Sequence, residues 1–153
     1  MSVFDTIRVA ASGLTAQRLR MDIAASNIAN AQSTRAANGV GPYQPESVVF
    51  SAQMLASPST TGIGGNSSSL SGPSGAAPGV AAVAIVTPNT PPIMVYDPTH
   101  PDADANGFVS YPDVDIAAQM ADMMGAARSY SLNATITASA KQSALDAIEI
   151  GRR

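Results

Sequence analysis

The chain has 153 residues, which suits one domain, or one domain with arms, and leaves no room for a second independent core. Hydrophobic residues make up 45%, but 28 of them are Ala, only seven residues are aromatic and there is no Trp, so a thick core of large side chains is excluded. Charged residues are 12%, with a formal net charge of -3 and no basic cluster, which argues against a nucleic-acid binder, and the absence of Cys removes thiol catalysis, disulfides and the usual structural zinc sites.

Met1 to Asp5 lacks the basic and apolar regions of a secretory signal, and nowhere do ~18 apolar residues run together. The expectation is a protein that is soluble when made, does not insert directly into a membrane, and takes another route if exported.

From Val3 to about Ala31 there is no Pro, and Gly13 is the single Gly. Ala recurs throughout, so a helix of ~29 residues and ~43 Å is predicted. Its apolar residues repeat every seven: Ile7, Leu14, Met21 and Ile28 hold one position, and Val3, Ala10, Ala24 and Ala31 the other, with Gln17 the exception. Arg18 and Arg20 beside Asp22 form too small a basic face for a membrane patch and read as solvated or intersubunit ion pairs.

Between Glu46 and Asp97 lie fifty residues without an Asp, Glu, Lys or Arg. Residues 51 to 78 hold eight Ser, five Gly and three Pro, a composition that predicts a mobile surface loop. Around it, Ser47 to Phe50, Val80 to Val86 and Ile93 to Tyr96 are β-branched runs bounded by Pro or Gly and read as three short strands, at most a small sheet.

After Tyr111-Pro112 a second helix is predicted, with Asp113 as cap and Asp115 complementing the positive helix end. It should run to Ile150, stopped by Gly151, with Arg152 and Arg153 at its negative end. Steps of four and three give a stripe Ile116, Met120, Met123, Ala127, Tyr130, Ala134, Thr137, Lys141, Ala144, Ile148, apolar in its first half and weaker from Thr137. Periodicity alone allows two readings: an antiparallel hairpin folded on itself, or two seams that are assembly surfaces. The paucity of large residues favours the second, since an isolated hairpin would be marginal.

Ala11-Ser12-Gly13-Leu14-Thr15-Ala16-Gln17, followed by Ala25-Ser26-Asn27-Ile28-Ala29-Asn30-Ala31, resembles the N-terminal signature of the bacterial flagellar axial proteins, which build rod, hook and hook-filament junction. Tyr43-Gln44, Val48-Val49-Phe50, Val95 to Pro98, Asn106 to Val109, Tyr111 to Asp115 and Met120 to Tyr130 are similar to the proximal rod branch of that family. Departures are the long 51-78 segment, Asp113 where Asn is frequent and Ser131 where Gln is common.

The resemblance implies an α+β fold, with the terminal helices paired as an antiparallel coiled coil lining the inner wall of a hollow axial tube and a small β-rich, loop-rich middle. Its parts would be an N-terminal axial helix over 1-33, a middle region over 34-112 containing the flexible loop 51-78, and a C-terminal axial helix over 113-153. It implies a non-enzymatic subunit of the proximal rod in the periplasmic basal body, without cofactor or metal. Such a subunit leaves through the flagellar type III apparatus without a cleaved signal and passes torque towards the hook. Implied partners are copies of itself, other rod proteins and the basal-body ring and rod-ring junction proteins, with no nucleic acid. The expected subunit-interface residues are Ile7, Leu14, Met21, Ile28, Asn27, Asn30, Ile116, Met120, Met123, Tyr130 and Ile148. For Asn27 and Asn30 three roles stay open: bonding exposed carbonyls, ending the helix, or touching a neighbouring subunit.

Chemical alternatives are weaker. Asp102-Ala103-Asp104-Ala105-Asn106-Gly107 matches the start of an EF-hand loop, which would make the chain a soluble calcium-binding helical module using Asp102 to Asp113. Pro98 and Pro101 forbid the incoming helix, however, and Asp113 is one carbon shorter than the usual Glu, so an ordinary Asp/Asn/Gly turn is expected. His100, Asp97 and Ser110 could be drawn as a hydrolytic triad but lack a nucleophile elbow. Gly62 to Gly65 has no following Gly-Lys-Ser/Thr and reads as linker rather than phosphate loop. Met120, Met123 and Met124 suit either core packing or an adaptable binding surface.

Overall fold

The computed structural model describes residues 3–36, 41–55 and 77–152. Two long helices, α1 (Val3–Ala29) and α2 (Ile116–Gly151), flank two antiparallel hairpins: β1 (Ser47–Leu55) with β2 (Ala77–Val86), and β3 (Ile93–Tyr96) with β4 (Phe108–Tyr111). The expected α+β outline of terminal helices around a small strand-bearing middle is present. Four details differ from expectation, the smallest being that α2 includes Gly151 and is capped at Arg152 instead of stopping at Ile150.

The strands number four among the described residues and form two separate sheets rather than one. Residues 51–55 and 77–78, expected inside the Ser/Gly-rich loop, are strand, and the remainder of that loop, 56–76, lies outside the described residues. The helix cap also moves: Asp115, not Asp113, accepts from the backbone N–H groups of Ala117 and Ala118 at 2.9 and 3.3 Å. Pro112 is buried and its carbonyl accepts from the Val114 N–H, so the chain is still turning at Asp113 and the first helical turn begins three residues on.

α1 ends at Ala29 because its last carbonyls find partners there. The Asn30 side chain and backbone both donate to the Ser26 carbonyl at 3.0 Å, and Ser33 N–H donates back to Asn30. The following segment doubles back along the helix, fixed by Tyr43 N–H on the Ser33 carbonyl.

The β1–β2 hairpin lies against α1. The Val80 N–H donates to Ser12 Oγ at 3.1 Å, and the Arg20 guanidinium sits over the Phe50 ring, 5.0 Å from its centre. A bulge opposite Val49 and Phe50, whose partners are Ala84 and Ala82, leaves Val83 unpaired and 65% exposed.

In the second hairpin Val109 is fully buried, and Tyr96 meets Phe108 edge-on at 5.4 Å. Gly107 has φ +77, and a Cβ there would lie 2.9 Å from the Tyr96 ring, so the turn requires glycine twice over.

Two contacts set the relative direction of the helices. Gly13 lies against Asn133, and the Asn27 side chain donates to Gln119 Oε1 at 3.1 Å. Advancing fourteen residues along α1 therefore means retreating fourteen along α2, and the helices run antiparallel. α2 starts level with the end of α1 and is nine residues longer, so its C-terminal end overhangs α1 by roughly 13 Å.

The interior is slight. Buried apolar residues among those described are Ala10, Ala16, Ile23, Ala24, Val109 and Ala126, four of the six being Ala, which limits burial to small increments of area.

A Cβ on Gly13 would stand 2.7 Å from Asn133 Nδ2, tighter than real contacts allow. Gly13→Leu should therefore cost about 1–3 kcal/mol through overpacking despite its better helix propensity. Asn133→Ala added to it should recover at least ~0.5 kcal/mol of that loss. Thermal unfolding followed by circular dichroism checks this, and strictly additive effects would contradict the close approach.

Candidate functional site

No group of three or more His, Asp or Glu among the described residues is arranged to hold a metal. Each residue of the drawn triad is occupied elsewhere. Asp97 accepts from the Thr99 hydroxyl at 2.6 Å, Ser110 Oγ donates to the Met94 sulfur at 3.2 Å, and His100 Nδ1 accepts from the Asp102 N–H at 3.1 Å while its ring meets Tyr111.

The residues of the EF-hand-like segment are also engaged. Asp102 Oδ2 accepts from the Thr34 hydroxyl and Oδ1 from Arg35 Nε, both at 2.7 Å, with Arg35 Nη2 on the same oxygen. Asp104 Oδ1 accepts from the Ala105 N–H. The segment serves as a turn and a clasp, tying the second hairpin to the chain that leaves α1.

The hub of the structure is Asn27, 1% exposed at the C-terminal end of α1. Its amide donates to the Glu46 carbonyl at 2.8 Å and to Gln119 Oε1 at 3.1 Å. Its Oδ1 accepts from the Tyr43 hydroxyl and the Glu46 N–H, both at 2.9 Å. Two N–H groups and two lone pairs are the whole capacity of the side chain, and all four are used. The bonds of Asn27 run within the chain, to the returning segment, where the Glu46 carbonyl is one acceptor, and to α2. Asn30, half-buried, bonds the Ser26 carbonyl, the helix-ending role.

The other expected interface residues spread along the helix pair rather than converging. Ile7, Leu14, Met21, Ile28 and Met123 are half-buried, while Ile116, Met120, Tyr130 and Ile148 are exposed. Directly between the helices lies a different row: Gln119 and Asn133 of α2, seven residues either side of buried Ala126, against Asn27 and Gly13 of α1. Gln119, Glu46 and Asn133 are residues that sequence reading passes over, and Tyr43 entered it only through the family resemblance. The one signal of Gln119 and Asn133 is polar residues fourteen apart in a helix whose stripe was traced through large apolar positions.

The Thr34 hydroxyl bond, and then Arg35, hold the Asp102 carboxyl below its ordinary 3.8. A carboxylate whose pKa is lowered by folding stabilises the fold above its unfolded pKa and loses that contribution as pH falls through the lowered value. The clasp should accordingly persist at neutral pH and open only below about pH 3.8. Asp102→Ala should leave it open at every pH. The Arg35 Nε–H resonance reports it, and an Arg35 signal unchanged between wild type and Asp102→Ala at pH 7 would contradict the assignment.

Comparison with known proteins agrees with this architecture. The family model described as flagella basal body rod protein matches residues 7–36, covering most of α1 and the turn after it. The model described as flagellar basal body rod FlgEFG protein C-terminal matches residues 105–150, covering β4 and nearly all of α2. Over 99% of this chain and 100% of its own length, the flagellar basal-body rod protein FlgC of Bacillus subtilis is 38% identical. The proteins of the same name from Borreliella burgdorferi and Salmonella typhimurium are each 34% identical, over 98% of both chains and over 99% and 100% respectively. Identity at that level, sustained end to end, shows that the chain belongs to the family of flagellar basal-body rod proteins FlgC.

Proposed function

We infer that the chain is a structural, non-enzymatic subunit of the flagellar rod, located in the basal body and serving motility. The observation that carries this reading beyond family membership is the surface of α2. Among its 36 residues only Ala126 is buried, whereas Met124, Leu132 and Ile148 are 66, 60 and 68% exposed. Ile116, Met120, Tyr130, Ile136, Leu145 and Ile150 are exposed as well. Apolar side chains on every side of a long helix are the mark of an element meant to be covered by neighbours.

In the assembled rod, α1 and α2 pair as an antiparallel coiled coil lining the bore, and the strand-bearing middle faces outward. Copies of the chain and other rod proteins cover the exposed apolar residues of α2 together with the flanking Ile7, Leu14, Met21 and Ile28. The ring and rod-ring junction proteins meet the outer surface. The subunit passes torque across the periplasm after export through the flagellar type III apparatus, a route suited to a chain without Cys and with so small a core.

Leu132→Glu tests the reading. On an exposed helix position it should change the stability of the isolated chain by no more than ~0.5 kcal/mol. In cells the variant should be produced normally, yet be missing from purified basal bodies and fail to swim in soft agar. Normal rods built from Leu132→Glu would show that this face of α2 is not covered on assembly.

A further inference from the structure

The contact between the helices has an unusual composition, and its composition has a consequence for register. At the observed offset Asn27 meets Gln119 and Gly13 meets Asn133. The same offset sets Arg20 opposite buried Ala126. Slide α2 by one heptad in one direction and Asn27 falls opposite Ala126, while Gly13 falls opposite Ala140. Slide it in the other direction and Gly13 falls opposite Ala126. Where Gly meets Ala the shapes are nearly the same in each register, so the apolar area at those positions hardly distinguishes them, while Arg20 moves from Ala126 to Asn133 or Gln119.

Polar groups do distinguish them. Asn27 is buried with every valence filled, and its bonds to Tyr43 and Glu46 hold its amide in place whatever α2 does. In a slipped register one of its N–H groups would lose Gln119 and face Ala126 or, in the other direction, Pro112 ahead of α2, which leaves a buried donor without its acceptor. The Asn133 side chain, which fits because Gly13 has no Cβ, would lose that space in either slipped register.

We propose that Asn27–Gln119 and Gly13–Asn133 are register pins, which select one alignment of α1 and α2 from several that the Ala-rich seam would accept about equally. Their consequence reaches the surface. One heptad is ~10.5 Å of helix, so the register fixes how far the overhanging end of α2, with exposed Leu145, Ile148 and Ile150, projects beyond α1. A slipped subunit would present its neighbours with a helix end displaced by nearly the width of a helix.

The 153-residue chain, which contains no Cys, permits a direct test by paired cysteine substitution and mild oxidation. Ala24→Cys with Asp122→Cys reports the native register, since both residues line one small cleft between the helices. Ala24→Cys with Ser129→Cys, and Gln17→Cys with Asp122→Cys, report slips of one heptad in either direction. A disulfide needs its Cα atoms within about 7 Å, so each pair reads a single register.

With the pins intact only the first pair should cross-link. Adding Gln119→Ala, which leaves Asn27 its bonds to Tyr43 and Glu46, should raise the ratio of slipped to native cross-link about tenfold, the scale expected for one lost buried hydrogen bond. Adding Asn133→Ala as well should raise it further. Asn30→Ala, which removes a bond onto the last turn of α1 and none to α2, should leave the ratio unchanged. Exclusive native cross-linking in the Gln119→Ala, Asn133→Ala double variant, with helicity retained by circular dichroism, would overturn the proposal. So would slipped cross-links at equal yield while both pins are present.

Discussion

A single buried amide connects most of this molecule. Asn27 reaches the returning segment through Tyr43 and Glu46 and the distant helix α2 through Gln119, 92 residues later in the chain. In a protein with a large core such a group would add specificity to a stability already secured by apolar burial. Here the buried apolar residues are chiefly alanines. A satisfied hydrogen bond adds little net stability, but a buried unsatisfied one costs considerably more, so the geometry that satisfies Asn27 excludes its competitors. The close approach at Gly13, the clasp of Asp102 on Thr34 and Arg35, and the bond from Val80 to Ser12 follow the same pattern. Each joins segments far apart in sequence, by close approach at Gly13 and by hydrogen bonds in the others, and none relies on a large apolar side chain.

The apolar material that the interior lacks is found outside. α2 carries its large apolar residues outward along most of its length, and β2 and β3 expose Val83, Ile85, Met94 and Tyr96. For a lone soluble domain that distribution would be a liability. Under the function proposed above it is a division of labour: polar contacts define the shape of the subunit, and apolar surface is left for its neighbours.

Much of the outline was legible in the sequence. The absence of Pro and the heptad spacing delimited α1 to within two residues, and β-branched runs located β1, β2 and β3. What escaped has physical reasons. β4, only four residues long, follows a turn whose Asp, Asn and Gly spoke more loudly than Phe108-Val109. Sequence reading assigns the cap to Asp113 and not Asp115 because capping depends on where Pro112 lets the helix begin. The stripe traced through Ile116, Met120 and Met123 followed the large apolar residues, whereas closely approaching helices prefer small and short polar ones, so the contact row runs through Gln119, Ala126 and Asn133. The partners of Asn27 and Asp102 lie too far along the chain for any local pattern to reveal them.

The central claim is that polar contacts rather than apolar burial shape the isolated subunit, and the heat capacity of unfolding measures that balance most directly. Exposure of apolar surface raises it and exposure of polar surface lowers it, with ordinary globular proteins near 12–15 cal/mol/K per residue. Differential scanning calorimetry of the purified chain should give a value clearly below that range. A value within it would mean that a conventional apolar core forms in the isolated subunit, and would contradict the account.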